Sequence, residues 1–594
     1  MNDQLQQIIE QKIKAFCEAN AIPLAALKWM PIPFAGEWGM STSFFQTAAD
    51  EMRATSAKKP VPQRAQEIAE SIKGQMGRVE GVSHIEAVKG YLNVYFETAA
   101  YARRTVSDAL ASRADFGRGA PKGQRLMVEF SQPNTHKAFH VGHLRSAILG
   151  DSLARILDFA GYDVVRANYP GDMGLHVIRW LWAYMKYHNG EEPETDITHW
   201  MGAVYADATK KLEENPELEA EVRALYVRWD RRDPDVVALW KKTRQWSLTG
   251  FDQMYELLGI NFHKYYFNSE EEQPGKEIVA DLVKRGIAID ERPEGPVIVK
   301  LDELLGNKNE KFRVLVVLRS DGTALYATED LSLVLHKFRD YPDMVKSIYV
   351  VDVRQSLHFT QVFKTLELAG HDEAKKCAHV AYELVTLPGN VVMSSREGTV
   401  VLLENLIREA IERAKEEAKK KNPNLGEEQL NNVAYAVGLG ALKYPLLARE
   451  NAKIVTFDWE SALDFNGQAA PYIQYAHVRC NSILRKGGIQ VDTYTGTQVG
   501  AAFDYALDPS EIELIEAISR FPAEVQRAAE ENKPLVIASH GYEIAKAFAS
   551  FYDKCPVIQA EEKVRAARLE LVMAARQAMA NALSLLGIQA PEVM

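Results

Sequence analysis

The middle of the sequence predicts an α/β fold built on a parallel sheet, with an α+β unit before it and an all-helical region after it. The first sign is Leu126-Met127-Val128-Glu129-Phe130, an apolar run of strand length. Behind it Leu144, Ala147, Ile148, Ser152, Ile156 and Phe159 recur at helical spacing, so a helix follows the strand. The second sign is a set of further strand-like runs at Asp163–Ala167, Val314–Leu318, Ser347–Val351 and Tyr382–Thr386. Helical patterns follow most of them, which argues for a parallel sheet. The third sign is the loss of strand pattern from Leu402 onward.

Taken in order, residues 1–118 form a first unit. It runs from an N-terminal amphipathic helix through AQEIAESIKGQM, also helical, to the alternating Tyr91-Leu92-Asn93-Val94-Tyr95-Phe96, a strand. The Gly- and Pro-rich tract from Asp115 to Gly123 is a linker. The sheet-bearing unit spans 119–400 and is interrupted by a long, Trp-rich helical insertion near 179–263, which is either scaffold or an RNA contact. A connecting helical region covers 401–460, where Lys419-Lys420-Lys421 is a solvated helix end. The segment 461–594 is all helix, broken near Gly487-Gly488 and Lys533-Pro534.

Composition narrows the class. With 594 residues, 47% hydrophobic and 25% charged, the chain is an ordinary multidomain globular protein. No apolar run reaches the roughly 20 residues that span a bilayer, so no membrane association is expected. The mixed-charge N-terminus is unlike a signal peptide, and a cytoplasmic location is expected. Cys17, Cys377, Cys480 and Cys555 lie too far apart for a CxxC or zinc pattern, so reduced thiols and no metal site are expected. A net charge of −11 argues against a nonspecific nucleic-acid binder, though not against RNA held by a local basic face.

Several clusters carry chemistry. His140-Val141-Gly142-His143 sits at the strand-to-helix junction, where unpaired N–H groups and the helix dipole favour phosphate. His140 and His143, at i and i+3, can address one ligand, and Gly142 lets it approach the backbone. Arg319-Ser320-Asp321-Gly322-Thr323 is a turn. Tyr326-Ala327-Thr328-Glu329-Asp330 follows, and in a helix Tyr326 and Asp330 share a face. The run Asp352-Val353-Arg354-Gln355-Ser356-Leu357-His358 comes just after a strand, where α/β sheets place ligands. Val392-Met393-Ser394-Ser395-Arg396-Glu397-Gly398-Thr399 is a small basic-bearing loop.

In this order the clusters closely resemble the class I aminoacyl-tRNA synthetases, and among them the arginyl-tRNA synthetases. HVGH resembles the class's HIGH element and VMSSR a degenerate form of its KMSKS loop. VEFSQPNTHKAFHVGHLRSAILGD, GTALYATEDL, VRQSLHF, FDWESALDFNGQAAPYIQYAHVR and LGIQAPEVM match arginyl-enzyme patterns, and GYLNVYFE is similar to the end of the family's N-terminal additional domain. The resemblance implies a Rossmann-like catalytic domain between an N-terminal tRNA-binding domain and an α-helical anticodon-binding domain. It implies that ATP, with Mg²⁺, activates L-arginine to the adenylate, and that the arginyl group passes to the 3′ end of tRNA(Arg). It further implies that activation requires bound tRNA and that the protein is a monomer.

By the same resemblance, His140, Gly142 and His143 bind ATP, as do Met393, Ser394 and Ser395 of the loop. Glu129, Asp330 and the Tyr326 hydroxyl face the arginine guanidinium, a rigid fork of five donors that demands planar acceptors, although Glu129 also suits a salt-bridged residue at a strand end. Asn134 and Gln355 hold the α-amino end. Tyr472, Gln474, Tyr475, His477 and Arg479 suit the stacking and edge contacts by which single-stranded bases are read, although Tyr472 and Tyr475 also suit packing of a domain junction. Arg565, Arg568 and Arg576 are phosphate contacts of the final helix region.

Two departures stand out. Where the class-wide loop carries two lysines, this chain has Val392 and Ser395, which leaves Lys137 and Arg396 to supply the missing charge in catalysis. In Tyr169-Pro170-Gly171-Asp172-Met173-Gly174-Leu175-His176, Met173 and His176 replace the family's Trp and Gln. The alternatives are another synthetase of the class, most nearly the cysteinyl one, and a noncatalytic RNA-binding paralogue.

Overall fold

The computed structural model describes residues 3–55, 59–139, 141–307, 311–388, 391–392, 402–489 and 502–594. Two units divide the chain: one of Met1–Gly117, Ala476–Glu524 and Glu543–Asn581, the other of Arg118–Tyr475, Val525–Tyr542 and Ala582–Met594.

In the first unit a four-stranded antiparallel sheet runs in the order Met30–Ile32, Gly39–Ser43, Tyr91–Phe96, Val82–Val88. The strand Tyr91–Phe96 alternates half-buried and buried residues, as its sequence pattern predicts, with Leu92, Val94 and Phe96 turned into the core. Lys89 and Gly90 both take positive φ, 50° and 85°, the twist that a two-residue hairpin between Val88 and Tyr91 needs. The helices Asp3–Ala19 and Val61–Met76 contribute Ile9, Ile13, Ile68 and Ile72 to the buried set.

In the second unit a five-stranded parallel sheet runs in the order Cys377–Tyr382, Met344–Asp352, Arg125–Glu129, Asp163–Asn168, Lys264–Tyr265. Arg125–Glu129 is central, and its residues from Leu126 to Glu129 are all buried, as a strand covered on both faces must be. The helix Val141–Phe159 follows it so closely that a Cβ at Gly150 would stand 2.2 Å from the Phe130 side chain. Four helices, Leu175–Tyr187, Ile197–Glu214, Glu219–Asp230 and Pro234–Leu258, lie between the strands ending at Asn168 and beginning at Lys264. They close around Trp180, Trp182, Tyr184, Trp229 and Trp240.

Two strand expectations are corrected. Val314–Leu318 is a strand, but it belongs to a separate antiparallel sheet with Val297–Lys300 and Ile289–Asp290. Its alternating burial, with Val314 and Val316 exposed, marks a sheet with one wet face, which an all-apolar run does not reveal. The edge strand is Cys377–Tyr382, ahead of the expected Tyr382–Thr386. Val385–Leu387 instead pairs with Val391–Val392 and Val455–Thr456 in a small third sheet.

Candidate functional site

The carboxyl ends of the parallel strands gather the chemistry. Glu129 ends the central strand, opposite Tyr349 on one side and Ala167 on the other. It is 2% exposed, accepts a hydrogen bond from Gln132 Nε2 at 3.0 Å and pairs through Oε2 with the Lys337 ammonium. Lys337 is itself fully buried, its Nζ 3.7 Å from the centre of the Tyr349 ring. This lysine was not found in the sequence, because nothing local marks it.

Beyond Glu129 the chain enters a constrained loop in which Ser131, Gln132 and His136 take positive φ of 78°, 45° and 60°. Polar contacts hold it there. Ser131 N–H donates to Ser146 Oγ at 3.0 Å, and Gln132 N–H to Asn168 Oδ1 at 3.1 Å. Asn134 bridges to Gly171, and a Cβ at Gly171 would come within 2.5 Å of Asn134 Oδ1. His136 is fully buried between Thr135 Oγ1 at 2.9 Å and Thr243 Oγ1 at 2.8 Å, and its N–H donates to Ser247 Oγ at 2.9 Å. Burial holds its pKa well below the ordinary value, so the ring is neutral.

Thr243 and Ser247 come from the helical insertion, as does Tyr205, whose ring centre lies 5.0 Å from Lys137 Nζ. Burial lowers the Lys137 pKa, and burial together with the Lys137 charge pushes His176 down to about 3. The loop that precedes the helix Val141–Phe159 is thus braced by the insertion. Phe139, ahead of that helix, meets the His143 ring edge-on at 5.1 Å. His140 lies outside the described residues, as do Met393, Ser394, Ser395 and Arg396.

A second wall is the helix Tyr326–Asp340, which confirms the shared face of Tyr326 and Asp330. Tyr326 is 70% exposed at its first turn, and Asp330 Oδ2 takes a 2.6 Å contact from His358 Nε2. Between them Glu329 is buried, accepting from Asn268 Nδ2, which also reaches the Tyr169 hydroxyl at 2.8 Å. Burial, with the Asp330 charge beside it, pushes Glu329 up to about 8. Gln355 is exposed at the end of a short 3-10 turn directly after the strand Met344–Asp352. Asp172 is fully buried, paired with Arg244 at 2.7 Å and capping Ser269 N–H at 2.9 Å.

The expected RNA-facing residues divide. Tyr475 is 37% exposed, and Tyr472 packs its ring 5.2 Å from Tyr542. Gln474 is fully buried and donates to Ala436 O at 3.0 Å and Gln589 O at 2.8 Å, so this amide holds main chain together and does not face solvent. In the other unit the Arg479 guanidinium covers the Tyr552 ring at 4.7 Å, and His477 is buried. Arg568 is largely enclosed, pairing with the fully buried Glu511 at 2.9 Å. Arg576 bonds Asn481 Oδ1.

The description "tRNA synthetases class I (R), catalytic domain" matches residues 105–459, and "DALR anticodon binding domain" matches 473–594. An arginine–tRNA ligase of Clostridium perfringens is 35% identical over 532 residues, 89% of this chain and 90% of that protein. One of Bdellovibrio bacteriovorus is 35% identical over 552 residues, 91% of this chain and 90% of its own length. Among solved structures, the Thermus thermophilus arginyl-tRNA synthetase aligns with a TM-score of 0.78 at 27% identity, covering 99% of this chain and all of that one. The Plasmodium falciparum arginyl-tRNA synthetase shares the fold at a TM-score of 0.74 and 20% identity, covering 100% of this chain and 99% of that one.

Proposed function

The chain belongs to the class I arginyl-tRNA synthetases, and on that premise we propose which of its residues hold each reactant. It is an arginine–tRNA ligase: ATP and arginine give arginyl-adenylate and pyrophosphate, and the arginyl group is then esterified to tRNA with release of AMP. The arginine carboxylate is the nucleophile at the α-phosphate, so the protein supplies position and charge and no nucleophile of its own.

Glu129 and Asp330 take the guanidinium of the substrate, with the Tyr326 hydroxyl beside them. The observation that carries this is a pair of carboxylates, Glu129 at the carboxyl end of the central strand and Asp330 on the helix Tyr326–Asp340, each facing a cationic or imidazole group, Lys337 and His358. A lysine substrate, with its single ammonium, cannot match the planar fork that a guanidinium presents to these acceptors, which gives discrimination without an editing site. Asn134 and Gln355 hold the α-amino end. His140 and His143 take the ATP phosphates and Gly142 lies under the adenosine, Met393, Ser394 and Ser395 also bind ATP, and Lys137 and Arg396 supply the charge that Val392 and Ser395 lack.

Among the described residues no group of three or more acidic, His or Cys side chains is placed to hold a metal ion. Mg²⁺ enters with ATP, bound by its phosphates. Tyr472, Tyr475 and Arg479 are the tRNA contacts this reading retains, and the enzyme works as a cytoplasmic monomer. Among the described residues no helix is long and apolar enough to cross a membrane.

Pyrophosphate exchange with ATP tests the reading, with arginine, lysine or cysteine, and with or without tRNA(Arg). Exchange with arginine and tRNA together, and with neither alone, is the expected result. A failure with every amino acid, alongside retained tRNA binding, would indicate the noncatalytic paralogue.

A further inference from the structure

Two residues past His143, Arg145 is 1% exposed, and its Nε and Nη1 have no hydrogen-bond partner among the described residues. Nη2 makes a single long contact, 3.4 Å to Asn451 O. Its electrostatic neighbour is Tyr382, which offers no counter-charge, because burial pushes that phenol up to about 12. Burial lowers Arg145 itself to about 10, which leaves it charged at neutral pH. A buried cation with most of its donors unused costs several kcal/mol, and a fold has no reason of its own to keep one.

The place of this side chain is specific. The next residue, Ser146, donates to Val350 O at 3.0 Å and accepts from Ser131 N–H at 3.0 Å, so this helical turn is tied to the carboxyl ends of two neighbouring strands. Tyr382 ends a third strand, paired beside Asp352. Three adjacent strand ends therefore meet at this turn of the helix, at the edge where open α/β sheets take their ligands. A guanidinium offers a planar fork that matches phosphate bidentately.

We propose that Arg145 binds a phosphate oxyanion during the ligation reaction. The proposal rests on the reading that ATP meets the start of the helix Val141–Phe159. Two sources share that chemistry: the triphosphate tail of ATP, which leaves as pyrophosphate, and a phosphodiester at the acceptor end of the tRNA. The guanidinium is covered, so an anion reaches it only as its neighbours give way, and relief of the unpaired charge favours that step.

The test uses the full chain, wild type, Arg145→Met and Arg145→Lys, with calorimetric titration by Mg·ATP and by inorganic pyrophosphate, titration with tRNA(Arg), and thermal melting. Arg145→Met is expected to melt at or above the wild-type temperature, since an unpaired buried charge is exchanged for an apolar side chain of similar length. It should weaken binding of one phosphate source by roughly 10- to 100-fold, with Arg145→Lys between the two. Loss confined to ATP and pyrophosphate assigns the triphosphate tail, and loss confined to tRNA assigns the acceptor end. Unchanged affinities for all three overturn the proposal, as does an Arg145→Met protein that melts several degrees lower with its affinities intact. A wild-type chain that binds neither ATP nor pyrophosphate overturns the underlying reading instead.

Discussion

Lys337 Nζ and the Glu129 carboxylate, 208 residues apart in sequence, form an ion pair whose side chains are 0% and 2% exposed. The lysine neutralises the carboxylate while Gln132 and the Tyr349 ring fix the geometry around it. Breaking one half of such a pair is costly, because the other half is left charged and buried. Lys337→Met is therefore expected to lose about 3–5 kcal/mol of stability in urea unfolding. Adding Glu129→Gln should recover most of that loss while arginine-dependent exchange stays low. A double variant as unstable as the single one would show that the two groups are not coupled.

Glu329 makes stability depend on pH. Its folded pKa of about 8 lies above the ordinary 4.5, so the folded chain holds a proton that the unfolded chain releases. The stability it contributes is full below about pH 4.5 and is lost as pH rises through about 8. Over that window the wild type should lose roughly 2–4 kcal/mol more than Glu329→Gln, which cannot titrate. Urea midpoints at pH 5 and pH 8.5 for both proteins measure the difference, and parallel pH profiles would refute the assignment.

How legible the site was depends on sequence distance. Leu126–Glu129 and the helical spacing behind it are local patterns, and they located the central strand and the helix Val141–Phe159. The shared face of Tyr326 and Asp330 was legible for the same reason. Lys264–Tyr265 was not, because two residues carry no periodicity. Val314–Leu318 was read as a strand but put in the wrong sheet, since an apolar run does not say which neighbour it pairs with. Lys337 and His136 escaped for another reason: a buried Lys or His becomes meaningful only through partners on other elements. Gln474 erred the other way, being a polar residue in an aromatic cluster whose amide turns inward to Ala436 and Gln589.

Arg568 serves the fold first. Its guanidinium meets both oxygens of Glu511, at 2.9 and 3.3 Å, and Glu511 also receives the Tyr505 hydroxyl at 2.7 Å and the Asp508 N–H at 2.8 Å. Arg568→Gln should therefore lower stability by about 2–4 kcal/mol by leaving that carboxylate under-compensated. At a temperature where the variant stays folded, tRNA affinity should fall less than twofold. A large loss of affinity with unchanged stability would restore Arg568 as a phosphate contact.

Gly150 sets how closely the helix Val141–Phe159 lies on the central strand. In an exposed helix interior, Gly→Ala gains about 1 kcal/mol from backbone entropy. Here the new Cβ would stand 2.2 Å from Phe130 Cβ and Cγ, and Phe130 is fully buried with no room to turn away. Overpacking of that kind costs about 1–3 kcal/mol, so Gly150→Ala should be destabilised. The helix would also shift away from the strand and carry His143 with it, so pyrophosphate exchange should fall more steeply than stability. A stabilised Gly150→Ala protein with full exchange would mean that the helix can move without disturbing the residues at its start.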